Sequence, residues 1–326
     1  MTLKQLAQIA GVSVATVSKA FSWSREISES TRERIFELAR QHGCFDKYYR
    51  GERTRPLIAL LSPEPESEFY AQSIGLLDLA LRERGADMIV AFTRFDEVCE
   101  AQLFRELAYG LKVDAIIMWG AGKLIENNDQ IPLIAITNAV DGPQNSDVIR
   151  VRMDEGMLQA VESIKAMGHT AVGFLGEKLT EARRIQFKDT MRRVGLPVHD
   201  KYIYVSEHRF ERAGEDGMRA LIDRGELPSA IVAAYDRIAL GAAQCAKAHG
   251  YSIPEDISLI GIDDIPTAAH ADVPLTSLHT DLQEVCAQIV ELVFKRIENK
   301  HYRSRTEIAV PVTVNIRDSL ASIKEE

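Results

Sequence analysis

Residues 3–19 read LKQLAQIAGVSVATVSK, and the rest of the chain is best understood outward from this stretch. Thr2 with Gln5 three positions on forms a capping-box pattern, and Leu3, Leu6, Ala7 and Ala10 recur on one face of a short helix. Gly11 supplies a residue for a positive-φ turn at its end. Ser13 is placed to cap a second helix carrying Val14, Val17, Ala20 and Phe21. Ser28 is placed to cap a third, with Ile35, Leu38 and Ala39 facing inward until Gly43 ends it. Two short helices joined by a glycine turn and braced by a third describe a helix-turn-helix.

In such a motif the second helix enters the DNA major groove with the residues near its N-terminus. The outward positions here are Val14, Ala15, Thr16, Ser18 and Lys19. Val14 and Ala15 offer apolar contact, for instance to a thymine methyl, whereas Lys19 reaches guanine acceptors or phosphate. Thr2, Ser13, Thr16, Ser18, Ser22 and Thr31 are the residue types that donate to phosphate oxygens, although each is equally suited to plain capping or turn duty. The whole chain, with 39 basic and 48 acidic residues among 326, has a formal charge of −9. Taken alone, that figure argues against a nucleic-acid partner. The charge is unevenly spread: residues 1–55 carry +4 and the remainder −13, a cationic head on an anionic body.

The run Leu3–Lys19, continued by Ile27-Ser-Glu-Ser-Thr-Arg-Glu-Arg34, resembles the DNA-binding head of the lactose/galactose repressor (LacI/GalR) family nearly residue for residue. The resemblance implies a helix-turn-helix domain over 1–44, followed by a linker over 45–56. Family members use that linker as a hinge helix which presses a leucine into the minor groove. Here it reads FDKYYRGERTR, about three residues short, with neither the Pro-Asn pair nor the wedge leucine. Gly51 would cost a hinge helix about 1 kcal/mol relative to alanine. A flexible basic tether is expected, with Arg50, Arg53 and Arg55 tracking phosphates; the alternative has Tyr48 or Tyr49 standing in as the wedge.

From Leu57 onward, short aliphatic runs alternate with amphipathic stretches. Strands are expected near 57–61, 87–91, 115–118, 133–136, 148–151, 172–175, 202–205, 230–233, 259–262 and 307–314. Helices are expected near 69–84, 97–109, 155–167, 181–194, 211–224, 236–249 and 282–299. Alternation of this kind gives an α/β fold with parallel sheets and right-handed crossovers. The region resembles the two-lobed, periplasmic-binding-protein-like core of the same repressor family. That likeness implies a core over 57–326, with lobe 1 about 57–152 and 282–303, lobe 2 about 153–281 and 304–318, and crossings near 153, 281 and 303.

Enzyme signatures fail on inspection. Gly120-Ala-Gly122-Lys123 lacks the third glycine of a dinucleotide fingerprint and the Ser/Thr that follows a P-loop lysine. No nucleophile elbow or zinc-protease pair occurs, the eight histidines lack ligand spacing, and Asp263-Asp264 would point to opposite faces of a strand. Catalytic residues, metal and cofactors are therefore all expected to be none. The four cysteines (44, 99, 245 and 286) suit reduced thiols rather than a disulfide framework.

The resemblance places small-molecule contacts in the cleft between lobes, beyond the strand ends. Phe69 and Tyr70 correspond to paired aromatics suited to the apolar face of a sugar. In Ala182-Arg-Arg-Ile-Gln-Phe187 the cleft arginine is Arg183, or Arg184 if the motif slips by one, because Gln186 stands where glycine is usual. Tyr235 replaces an asparagine, and Asp263 matches a strand-end carboxylate. Trp119, Asn138 and Asp154 complete the set. The expected function is a cytoplasmic, homodimeric transcriptional regulator, most simply a repressor, that binds a double-stranded DNA operator and answers to a sugar or sugar-derived effector. A solute-binding receptor on the same core is the rival; the helix-turn-helix and the absence of an export segment or a bilayer-length apolar run count against it.

Overall fold

The computed structural model describes residues 1–21, 24, 26–48, 55–128, 131–138, 142–225, 227–299 and 304–323, Asp46 without its side chain. It divides into two compact units, residues 1–57 and 58–326.

In the first unit α1 (Leu3–Ala10), α2 (Val14–Phe21) and α3 (Glu29–Gln41) form the expected trio. The Thr2 hydroxyl accepts from the Gln5 N–H while Gln5 Oε1 accepts from the Thr2 N–H, so the capping box is closed. Gly11 takes φ 65°, where a side chain would be strained. Leu6, Ala7, Ala10, Val17, Ala20, Phe21, Ile35, Phe36, Ala39 and Cys44 make the core; the half-buried Leu38 packs against it, and Phe36 adds a buried ring. A short helix α4 (Phe45–Tyr48) then begins where the sequence reads as linker. Its rings explain why: Phe45 lies 5.2 Å from Phe36 and 6.1 Å from Phe21, and Tyr48 lies 5.9 Å from Phe21 while donating to the Met1 carbonyl at 2.7 Å. Aromatic clustering of this kind is worth more than its buried area alone. Tyr48 is thus bound into the head instead of being free to act as a wedge. Tyr49, Arg50, Gly51 and Arg53 lie outside the described residues.

The second unit begins with β1 (Leu57–Ser62), α5 (Glu68–Glu83), β2 (Asp87–Phe92) and α6 (Glu97–Arg105), the last running into a π-helical turn at Glu106–Leu111. Next come β3 (Ala115–Trp119), β4 (Leu133–Thr137), β5 (Asp147–Arg152) and α7 (Met153–Ala166). Then follow β6 (Val172–Glu177), α8 (Glu181–Val194), β7 (Ile203–Ser206), α9 (Phe210–Asp223), β8 (Ala230–Ala233) and α10 (Asp236–Ala248). The chain closes with β9 (Ser258–Ile262), α11 (Pro266–Ala269), β10 (Thr276–Thr280), α12 (Leu282–Glu298) and β11 (Glu307–Asn315).

The strands run in the order β2-β1-β3-β4-β5-β11-β10-β9-β8-β6-β7. Five belong to lobe 1 and five to lobe 2, and β11 joins them. Its residues Glu307–Pro311 pair parallel to Val148–Arg152, and its residues Val312–Asn315 pair antiparallel to Thr280–Ser277. The third passage between lobes is therefore made inside this strand, at Pro311–Val312, later than the expected position near 303. β10 was not expected at all. Its sequence Thr-Ser-Leu-His-Thr lacks an apolar run, yet Thr276, Ser277 and Thr280 are buried. Its polar groups are satisfied internally: the Thr276 N–H donates to Ser319 Oγ, and Ser277 Oγ donates to Asp236. Helices cover both faces, so strands such as Ile58–Leu61 and Ala230–Ala233 are fully buried and continuously apolar.

Candidate functional site

On the head, α2 carries the candidate DNA contacts. Val14 (44% exposed), Ala15, Ser18 and Lys19 face solvent, and Thr16 is half-buried. Ser13 caps the helix through the Thr16 N–H at 3.0 Å and bonds Thr16 Oγ1 at 2.8 Å. Thr2 and Thr31 are likewise engaged in caps, Thr31 through Ser28. Lys19 Nζ is ion-paired with Glu26, a contact it would have to exchange for one with DNA. Ser22 lies outside the described residues.

In the second unit the loops at the carboxyl ends of the strands enclose a cavity of about 210 Å³ between the lobes. It collects Phe69 and Tyr70 from the start of α5, Asn138 after β4, Arg183 on α8, Tyr235 after β8 and Asp263 after β9. Trp119 is buried behind that surface, its ring 5.4 Å from Phe69 and 5.9 Å from Tyr70, so it backs the aromatic wall without lining it. Asp154 is not brought to the cavity: it sits exposed in the first turn of α7, paired with Arg152 at 3.1 Å.

Arg183 Nη2 donates to Asp263 Oδ1 at 3.1 Å and Nη1 to the Ala234 carbonyl. Arg184 turns aside to Glu181 on its own helix. Asp263 is held at φ 104° just beyond β9; burial pushes its carboxyl up, and Arg183 pulls it back. Asp264, at φ 51°, faces the other way, to Arg317 at 2.6 Å, Asn315 at 2.7 Å and His279 at 2.9 Å. The two carboxylates therefore have separate surroundings. Asp236 also reaches the lining, but it accepts from the Ile265 N–H at 2.8 Å and from Ser277 Oγ at 2.5 Å, and burial holds it strongly toward the neutral form. These bonds tie α10 to the turn after β9 and to β10.

A second cluster in the cavity had no counterpart in the sequence reading. Arg209, just before α9, forks onto the buried Glu64 of lobe 1, with Nη2–Oε1 at 2.9 Å and a second bond from Nη1, and reaches Glu177 with Nε at 3.3 Å. Glu64 is 4% exposed and Glu177 2%. The Glu64 bonds raise the Arg209 pKa further. The Arg209 guanidinium stacks 4.4 Å from the Phe210 ring and 5.4 Å from that of Phe95, and Arg237 lies 3.9 Å over Phe210. Tyr235 accepts from the Phe210 N–H at 3.0 Å and donates to Glu177 at 3.4 Å, and burial pushes its phenol up to about 12. Glu177 could have been flagged as the last residue of a strand. Glu64 sits in the polar loop just ahead of Phe69 and Tyr70, one of three glutamates there with nothing local to single it out. Arg209 and Phe210 sit in no motif that local sequence makes visible.

The loop 62–68 reaches lobe 2 three times. Besides Glu64, the Glu66 carbonyl accepts from Arg237 at 3.1 Å and Glu68 accepts from Thr267 at 2.8 Å. Residues 120–123 form no phosphate cradle: Lys123 pairs with Glu97 at 2.8 Å, and Glu100 is packed under Gly120. Burial, with Glu97 adding, lifts the Glu100 carboxyl to about 7. Because this folded-state value lies above the unfolded one, Glu100 favours the folded state least above pH 7, where it must ionise in place. Glu100→Gln should leave stability at pH 4, below the unfolded value of 4.5, nearly unchanged and raise it by about 2 kcal/mol at pH 8. Denaturant titrations at the two pH values check this; an equal effect at both would refute it. Among the described residues no metal-binding cluster occurs, no helix is long and apolar enough to cross a membrane, and the four cysteines are free.

Comparison with known proteins covers both units. Residues 2–44 match the family described as bacterial regulatory proteins, lacI family, and residues 161–320 match the periplasmic binding protein-like domain. The HTH-type transcriptional regulator DegA of Bacillus subtilis (strain 168) is 28% identical, covering 99% of this chain and 98% of its own. The solved complex of the transcriptional regulator CelR with cellobiose is similar at TM-score 0.69 and 23% identity, covering 98% and 100% of the two chains. The lac repressor dimer bound to operator and the anti-inducer ONPF is similar at TM-score 0.72 and 18% identity, covering 99% of each.

Proposed function

Because the chain belongs to the lactose/galactose repressor family, with a lacI-family head joined to a periplasmic binding protein-like domain, we propose that it is a sequence-specific transcriptional regulator whose interlobe cavity binds a sugar or sugar derivative. The observation that carries the DNA half is the outward face of α2. Small or uncharged residues (Val14, Ala15, Ser18) surround one lysine on a capped helix, within a segment of net charge +4. Such a face fits the major groove, where the helix N-terminus meets base edges and neighbouring hydroxyls meet phosphates. The effector half is supported by an aromatic wall facing carboxylates and guanidinium groups in a cavity of about 210 Å³, room for a guest smaller than the drug-sized ligands of pockets of about 300–1,000 Å³. The regulators compared above carry names of operator, cellobiose and anti-inducer ligands, and none is named as an enzyme.

The protein works as a cytoplasmic homodimer, since two heads are needed to read two half-sites about 34–36 Å apart. Effector occupancy shifts the closure of the lobes and so the spacing of the heads; the same coupling then makes operator alter effector affinity by an equal factor. Thr2, Ser13, Thr16, Ser18, Ser22, Lys19 and Thr31 contact the backbone or bases, and Phe69, Tyr70, Asn138, Arg183, Tyr235 and Asp263 contact the effector.

Selection of a binding site from random DNA, followed by gel shifts over a salt series, tests the proposal. A defined site is expected, with log affinity falling linearly as log salt rises. Loss of either behaviour would sink it. Val14→Asp adds a carboxylate where the groove is to be met, at a helix N-terminus that tolerates an acidic residue. It should weaken specific binding at least about 100-fold, the scale of a charge set against the groove, while the head's melting temperature is kept.

A further inference from the structure

We infer that the interlobe cavity selects its effector by charge, accepting a neutral or amino-bearing carbohydrate and refusing sugar phosphates and sugar acids. This rests on the proposed role of the cavity as the effector site. The argument starts from which groups already have partners. Arg209 directs Nη1 and Nη2 to Glu64 and Nε to Glu177. Arg183 directs its two terminal nitrogens to Ala234 and Asp263. Arg237 is matched by Glu211 at 2.6 and 2.8 Å. Every guanidinium on the cavity wall is thus held face to face with an acceptor of the protein itself.

The carboxylates are in excess. Glu64, Glu68, Glu177 and Asp263 line the cavity against Arg183 and Arg209 once the self-contained Arg237–Glu211 pair is set aside. A carboxylate has about four acceptor positions. Among the described contacts, Glu177 Oε2 takes the Leu179 N–H at 2.9 Å and Glu68 Oε2 the Thr267 hydroxyl, while Asp263 Oδ2, Glu68 Oε1 and the second lone pair of Glu177 Oε2 are not engaged, so the wall offers acceptors to a guest. Hydroxyl and ammonium groups satisfy acceptors. A phosphate or carboxylate group would meet like charge at low dielectric, or would have to take Arg209 away from Glu64 and leave that glutamate buried without its partner, which is strongly unfavourable. The rings of Phe69, Tyr70 and Phe210 provide the apolar surface for a sugar ring.

The test uses the full chain in calorimetric titration and thermal-shift assays with matched sets. The neutral members are glucose, galactose and ribose, the amino members glucosamine and galactosamine. The anionic members are glucose 6-phosphate, ribose 5-phosphate, glucuronate and galacturonate. Any neutral or amino sugar that binds should do so at least about 30-fold more tightly than its anionic counterpart. Glu177→Gln, which removes a charge and keeps one acceptor oxygen, enough for the Leu179 N–H at 2.9 Å, should narrow that gap; Glu64→Gln serves as the second variant if the first fails to fold. An anionic member binding as well as or better than its neutral parent would overturn charge selection while leaving the effector-site reading intact. No binding by any member would remove the sugar reading itself, and the inference with it.

Discussion

Gly241→Ala is expected to lower the stability of the second unit by about 3 kcal/mol or more, at the upper end of overpacking effects. The reason is backbone against backbone. α9 and α10 cross so closely that a Cβ on Gly241 would lie 2.0 Å from the Glu211 carbonyl oxygen, and one on Gly214 would lie 1.9 Å from that of Ile238. A flexible side chain could yield, but a helix carbonyl engaged in its own ladder cannot, so the whole helix must back away. The faces that meet are built from small residues, Gly214 on one helix against Gly241 and Ala242 on the other. Separation would therefore loosen the packing of both helices on β6, β8 and β9. At 2–4 °C per kcal/mol for a body of this size, the melting temperature should fall by about 6–12 °C. Gly214→Ala should do the same, and the double variant should cost less than the two together, because the first substitution has already parted the helices. Gly75→Ala is the control: this helical glycine faces open space, and alanine there should add about 0.5–1 kcal/mol. Thermal melts of the four variants decide the matter. Equal behaviour of Gly75→Ala and Gly241→Ala would mean that the helices do not approach as described.

Such a crossing was invisible in the sequence, since glycines inside helical stretches give no sign of what faces them. Much else was legible, for definite reasons. α1, α2 and α3 declare themselves by caps at Thr2, Ser13 and Ser28 and by a glycine at φ 65°, all local devices. Strands such as β1, β3 and β8 are apolar on both faces because helices cover both, which makes them stand out from their neighbours. β10 failed to stand out because its polar groups are satisfied from up to 43 residues away, the Thr276 N–H by Ser319 and the hydroxyls of Thr276 and Ser277 by the Arg317 carbonyl and Asp236. The same distinction divides the cavity. Phe69, Tyr70, Arg183, Tyr235 and Asp263 sit in stretches that resemble family motifs. Glu64 and Arg209 become a pair only when two lobes fold against each other across 145 residues of chain. Asp154 shows the converse error: it lies in a plausible stretch but turns to its neighbour Arg152.

That long-range pair carries the second large effect. Arg209→Ala should destabilise the core by about 3 kcal/mol, because it strands Glu64 and Glu177, both nearly inaccessible to water, without their shared cation. Glu64→Ala should cost less, since Arg209 is about a third exposed and retains Glu177. Combining the two should recover part of the loss, as the worst consequence of removing the arginine is the orphaned glutamate. The pair also spans the cleft, and with it the loop 62–68 holds three of the bonds between lobes. The single Arg209 variant should therefore loosen closure as well as lower stability, raising the radius of gyration seen by solution scattering in the absence of effector. Purely local packing would lower stability with no change in size. If Glu64→Ala proved costlier than Arg209→Ala, the energetic weight would lie with solvation of the arginine instead of burial of the carboxylates, which would overturn this account of the pair.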